Sequence, residues 1–175
     1  MEQLSARINS LPVSETLAMA AKARELKNQG IDIIGLSLGE PDFNTPEFIK
    51  DAAIQAVKDN YNSYSPVDGY ADLKEAICNK FKRDNGIEYT ADQIVISTGA
   101  KQSLLNIFLA LVNPGDEVII PAPYWVSYMD QADYCGADVK VLPTTMESGF
   151  KITAAQLESA ITPKSKVLIF SSPNN

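Results

Sequence analysis

The chain contains no histidine in 175 residues. That excludes Ser-His-Asp hydrolysis, Cys-His proteolysis, His-ligated zinc and the paired-histidine metalloprotease pattern from this segment. Any chemistry here rests on lysine, tyrosine, carboxylates or a borrowed cofactor. Cysteine is nearly as scarce. Cys78 and Cys135 stand at a separation that matches no zinc or disulfide framework, and they read as reduced structural thiols. No stretch approaches the roughly 18 unbroken apolar residues of a membrane span. The start, Met1-Glu2-Gln3-Leu4-Ser5, has neither a basic nor an apolar leader region, so a cytoplasmic location is expected. Positive charge is in deficit: 15 Lys and Arg face 22 Asp and Glu, a formal net charge of −7. Nucleic acid and anionic membranes are therefore poor partners.

What is present is an ordinary globular balance, 45% hydrophobic and 21% charged, with no repeat or low-complexity tract. Its length fits one domain, or one plus part of another. Ser14 is placed to cap a helix over Glu15 to Gln29, and Gly30 to end it. Ile31 to Leu38 reads as a strand, broken by Gly39-Glu40-Pro41-Asp42-Phe43-Asn44. Thr45-Pro46 opens a second helix with an apolar face of Ile49, Ala53, Ala56 and Val57. A tyrosine-rich loop spans 60–70, and Leu73, Ala76, Ile77 and Phe81 recur at helical spacing over 71–84. Thr90-Ala91-Asp92-Gln93 fits the capping-box pattern for a single turn.

From residue 90 the pattern becomes strand, helix, strand, helix, strand, helix, strand. The strands are expected at Ile94 to Ile96, Glu117 to Ile120, Val139 to Leu142 and Lys166 to Phe170. Helices are expected after Gln102, over Tyr124 to Tyr134, and after the Thr153-Ala154-Ala155-Gln156 cap. Short apolar strands alternating with helices predict an α/β fold, a mainly parallel sheet with helices on both faces. Residues 1–45 pattern differently and are expected to open a smaller domain, with 46–175 forming the first part of a large one.

Three strand ends carry chemistry. Ser97-Thr98-Gly99-Ala100-Lys101 leads from strand into helix, and a helix start presents free N–H groups to an anion. It is neither a Walker A loop nor a Gly-x-Gly-x-x-Gly fingerprint, which lowers nucleotide binding; an ordinary tight turn is the plain alternative. Trp125, the one tryptophan, follows Pro121-Ala122-Pro123-Tyr124. It either stacks on a flat ring or closes the core under its loop. Ser171-Ser172-Pro173-Asn174-Asn175 is first a turn, with amides able to bond a ligand oxygen. Together they describe a pocket for a phosphorylated, planar, oxygen-bearing ring.

The motifs Leu38-Gly39-Glu40-Pro41-Asp42-Phe43, Tyr64-Ser65-Pro66 with Gly69, Ser97 to Gln102, Asn113 to Val118, Pro123-Tyr124-Trp125 and Ser172 to Asn175 occur in this order. In these the chain resembles the fold-type I, class I pyridoxal-phosphate-dependent aminotransferases, nearest their bacterial aspartate branch. The resemblance implies a large cofactor-binding domain and pyridoxal 5′-phosphate as cofactor. Gly99, Ala100 and Lys101 would hold the phosphate, Trp125 would stack on the ring, and Asn175 would bond its phenolate oxygen near the substrate. Gly39 would contact the substrate, Tyr64 would reach the phosphate of a neighbouring subunit in a homodimer, and Lys101 would meet the distal carboxylate of aspartate.

The implied reaction moves the amino group of L-aspartate to 2-oxoglutarate, so the partners are amino-acid and 2-oxo-acid substrates. An aromatic, alanine or prephenate specificity is the alternative within the family. A non-catalytic module of the same fold and a nucleotide-binding α/β domain are the alternatives outside it. In this family the Schiff-base lysine lies beyond the position of Asn175. No catalytic residue is therefore expected within the 175, and the segment alone is expected to be inactive.

Overall fold

The computed structural model describes residues 4–36, 39 and 41–173, with only the backbone at Glu15. The chain forms two compact units, Met1–Pro12 with Asp92–Asn175, and Val13–Ala91. The expected boundary at residue 45 concerns the domains of an intact enzyme rather than these units.

The first unit is built on a three-stranded parallel sheet. Its strands are β1 (Glu117–Pro121), β2 (Asp138–Leu142) and β3 (Ser165–Leu168), ordered β2-β1-β3. Glu117-Val118-Ile119-Ile120 is buried at every position, the apolar Val118 to Ile120 as expected of a central parallel strand. Val118 pairs with Val139 and Val167, and Ile119 with Lys140 and Leu168. Alternation along the strand then sends Val118 and Ile120 to one face and Ile119 to the other.

On the Val118 face lie α5 (Ala100–Leu111) and α6 (Ser127–Tyr134). Phe108 and Val112 pack there with Tyr128 and Ala132 around Val118 and Ile120, forming the core. Helix α7 (Ala154–Ala160) serves the opposite face, where Lys140 Nζ donates to the Ala160 carbonyl at 3.2 Å. The expected parallel sheet with helices on both faces is therefore present. The short helix α1 (Ala6–Asn9) also belongs to this unit, with Arg7 lying 5.3 Å over the Tyr134 ring.

The second unit holds α2 (Glu15–Asn28), α3 (Glu47–Lys58) and α4 (Ala71–Asn85). Ser14 caps α2 by accepting the Leu17 N–H, and Gly30 follows at φ 82°. Gly86 ends α4 at φ 67°, the left-handed conformation that favours glycine at a helix end. Among the described residues of this unit only Lys74 is buried.

Several expectations change. Residues 31–36 form no strand, and neither do Ile94 to Ile96, since no segment among the described residues pairs with them. Ile94 is nevertheless buried. Ser37 and Leu38, the end of the first expected strand, lie outside the described residues. Pro46 takes the N-cap of α3, one place earlier than its expected N1 position. Helix α6 begins at Ser127 because Pro123 to Val126 form the approach to it. The single turn expected at Thr90 to Gln93 is, by contrast, present, as the 3-10 turn Ala91–Gln93. The apolar face of α3 is not a core face: Val57 is 79% exposed.

Candidate cofactor site

The site begins where the chain enters α5. Gly99 is the N-cap, at φ 84° and ψ 161°, a conformation essentially reserved for glycine. An added Cβ there would meet no atom within 4 Å, so the space in front of this turn is open. The Gln102 and Ser103 N–H groups donate back to the Gly99 carbonyl at 3.2 and 3.3 Å. The Thr98 N–H donates to Gln102 Oε1 at 2.6 Å. The Ala100 and Lys101 N–H groups find no protein acceptor among the described residues. Two unsatisfied donors and the positive end of a three-turn helix therefore face open space. That is the chemistry of an anion site.

Trp125 stands beside this turn. It is half-buried, packs against the core, and meets Tyr128 edge-on at 5.6 Å between centroids and 84° between planes. Lys101 Nζ lies 4.8 Å from the indole centroid, a cation–π contact joining the helix start to the Trp125 loop. The two readings of Trp125 thus both have substance, since it touches the core and keeps part of its surface open. Pro121-Ala122-Pro123 holds the loop to the sheet: Ala122 N–H donates to the Leu142 carbonyl at 2.9 Å, and its own carbonyl accepts from the Thr144 hydroxyl.

A cavity of about 730 Å³ opens at the ends of β1 and β3, between Tyr124, Phe150, Leu157, Leu168, Phe170 and Ser172. Neither Gly99, Ala100, Lys101 nor Trp125 lines it. It neighbours the cradle through the Tyr124 loop but is a separate, mostly apolar space on the α7 side.

The structure brings Gly99, Ala100, Lys101 and Trp125 together. Tyr64 and Gly39 belong to the Val13–Ala91 unit, where both are exposed, Tyr64 fully so. Asn175 lies outside the described residues. Both cysteines are free, and burial pushes the Cys135 thiol up from its ordinary value, which suits a structural thiol. No helix among the described residues is long and apolar enough to cross a membrane. Sequence reasoning missed Gln131, buried on α6 with its amide on the Lys101 carbonyl. A glutamine between Asp130 and Ala132 on a mostly polar helix gave no signal of it.

The family model for aminotransferase class I and II matches residues 31–175. This chain belongs to that family. It is 51% identical over 174 residues to an aspartate aminotransferase of Bacillus sp. strain YM-2, covering 99% of this chain and 44% of the relative. It is 51% identical over 175 residues to the aspartate/prephenate aminotransferase of Cereibacter sphaeroides, covering all of this chain and 44% of that relative. Among solved structures it superposes on the Thermus thermophilus aspartate aminotransferase with maleate at a TM-score of 0.96. The identity there is 43%, over all of this chain and 46% of that one. The chain therefore spans less than half the length of the relatives it matches.

Proposed function

We propose that the whole protein is a pyridoxal 5′-phosphate-dependent aminotransferase that moves the amino group of L-aspartate to 2-oxoglutarate. The observation that carries this reading is the pair of unsatisfied N–H groups at Ala100 and Lys101, facing open space beside Trp125. Those residues fit a phosphorylated aromatic cofactor, whose ring, when bound, serves as the electron sink of amino-group chemistry.

In this reading the Ala100 and Lys101 N–H groups donate to the phosphate, and Gly99 keeps their approach clear. Trp125 lies against the ring and, with its loop, excludes water from one face. The Lys101 ammonium leaves the indole to meet the distal carboxylate of a dicarboxylic substrate. Asn175 donates to the phenolate oxygen, and Gly39 lets the substrate approach its backbone. Tyr64, fully exposed, reaches the phosphate of a second copy in a homodimer. The intact enzyme resides in the cytoplasm, residues 1–45 opening its smaller domain and 46–175 its large one. The proton-transferring lysine is supplied outside these 175 residues, so the segment alone does not transaminate.

Aspartate is favoured because relatives near 50% identity bear that name, and because Lys101 offers a cation for a second carboxylate. The name of the Cereibacter relative makes prephenate, also a dicarboxylate, the second substrate to test. On the full-length protein, aspartate should be turned over at least ~10-fold more efficiently than alanine or phenylalanine. Negligible aspartate turnover would sink the substrate assignment. Gly99→Ala should weaken pyridoxal 5′-phosphate binding by on the order of tenfold, through backbone strain and a methyl group in the cradle. Unchanged affinity would remove the cradle from this turn.

A further inference from the structure

Gln131 sits on α6, three residues after Tyr128, and is buried to 8% exposure. Its Nε2 donates to the Lys101 carbonyl in the first turn of α5, at 2.9 Å and across 30 residues of sequence. Its Oε1 is buried and has no partner among the described residues. An unpaired buried acceptor is destabilising, and a methionine of the same length would fill the position without one. Packing alone is thus a poor reason for glutamine here. What the amide adds is a single donor, aimed at Lys101 in the turn that forms the anion cradle.

We propose that Gln131 is a positioning residue for cofactor phosphate and for substrate selectivity, acting through Lys101. This rests on the function proposed above. Helix α6 also carries Tyr128, edge-on to Trp125. The Gln131 bond therefore ties the phosphate-binding turn to the element that supports the stacking face. It sets where the two free N–H groups stand relative to the indole, and from where the Lys101 side chain departs to reach its 4.8 Å contact. Loss of the donor lets the first turn of α5 shift against α6. Phosphate recognition and dicarboxylate selectivity then fall together, while the fold persists.

The test uses the full-length protein with Gln131→Met, which keeps size and removes the donor, and Gln131→His, which restores an N–H at similar reach. Three quantities are read. They are amide exchange of the 99–105 segment without cofactor, the affinity ratio of pyridoxal 5′-phosphate over pyridoxal, and the kcat/KM ratio for aspartate over alanine. In Gln131→Met exchange should rise, and both ratios should fall, by on the order of tenfold, with melting temperature nearly unchanged. Gln131→His should recover most of each. Exchange and both ratios unchanged in Gln131→Met overturn the proposal. A uniform loss of stability with both ratios intact also overturns it, because that is a purely structural role. If the wild type prefers neither pyridoxal 5′-phosphate nor aspartate, the proposed function fails instead, and exchange alone still decides whether Gln131 holds the turn.

Discussion

The two units of this chain spend their apolar residues in opposite ways. In the sheet unit Phe108, Val118, Ile119 and Ile120 are each at most 2% exposed, and the helices close over them. In Val13–Ala91 the helices are as regular, yet Val13, Ile34, Leu36, Phe43 and Val57 are 79–91% exposed. Regular helices therefore do not imply a core. The helices of the second unit form because alanine-, lysine- and glutamate-rich segments with good ends are helical by local preference. Their apolar residues pack only locally, as Tyr61 does on Tyr70 and Phe81 on Tyr89, and no described apolar residue of the unit is fully buried.

The largest test of this contrast substitutes one residue from each unit. Phe108→Ala empties the centre of the core and should lower stability by about 3–5 kcal/mol, measured by denaturant unfolding of the sheet unit. Val57→Ser on α3 should change it by less than about 0.5 kcal/mol. Equal effects would mean that the second unit has a core after all.

One buried charge in each unit, among the described residues, sharpens the comparison. Glu117, in the central strand, accepts from the Thr162 hydroxyl at 2.6 Å, the Ser165 hydroxyl at 2.9 Å and Lys140 Nζ at 2.9 Å. These contacts, Thr162 first and then Lys140, hold its carboxyl at about 2, against an ordinary 4.5. Since the folded value is the lower one, the contribution is complete above about pH 4.5 and fades as the pH falls toward 2. Gln at this position should therefore be less stable than wild type at neutral pH, with the difference closing below pH 4.5. A gap that persists undiminished at pH 3 would contradict this.

Lys74, by contrast, pairs with Asp68, whose carboxyl the Lys74 hydrogen bond holds below its ordinary value. The pair braces the turn in which Gly69 N–H donates to the Pro66 carbonyl at 3.0 Å, close to Tyr64. Lys74→Met should raise exchange at the Gly69 amide by on the order of tenfold and leave the sheet unit untouched. Slowed or unchanged exchange would show that the turn needs no brace.

The sheet unit was the more legible in sequence, for a physical reason. Val118 to Ile120 is an apolar run too short for a helix and flanked by Pro114-Gly115 and Pro121, so a buried strand fits it best. The Thr153 and Gln156 capping box was equally explicit, and both halves of it form. Residues 31–36 carry a similar apolar run and form no strand, because strand formation depends on a partner that local sequence does not specify. Helix periodicity on α3 had the same defect: it names a face, and the face is exposed. At the site, Gly99 to Lys101 and Trp125 were readable because turn chemistry and a unique aromatic are local features. Gln131 was not, since its role exists only through a contact 30 residues away.

Capping gives the smallest and most discriminating comparison. Ser14 and Thr153 perform the same task, accepting the N–H three residues on, at 3.4 and 3.2 Å. Replacing either by alanine should cost about 1 kcal/mol of helix stability. The consequence should differ. Helix α7 is also held by the Lys140 bond to Ala160 and by Gln156 Nε2 on the Pro143 carbonyl at 3.4 Å. Thr153→Ala should therefore lower the unfolding midpoint slightly and leave α7 formed. Helix α2 has no buried residue among those described, so nothing in its own packing resists fraying. Ser14→Ala should thus appear as lost helix signal over Glu15–Asn28, with the sheet unit melting unchanged. If the two variants behave alike, then α2 is held by packing, and the distinction between a unit held by its core and a unit held by its helix ends is wrong.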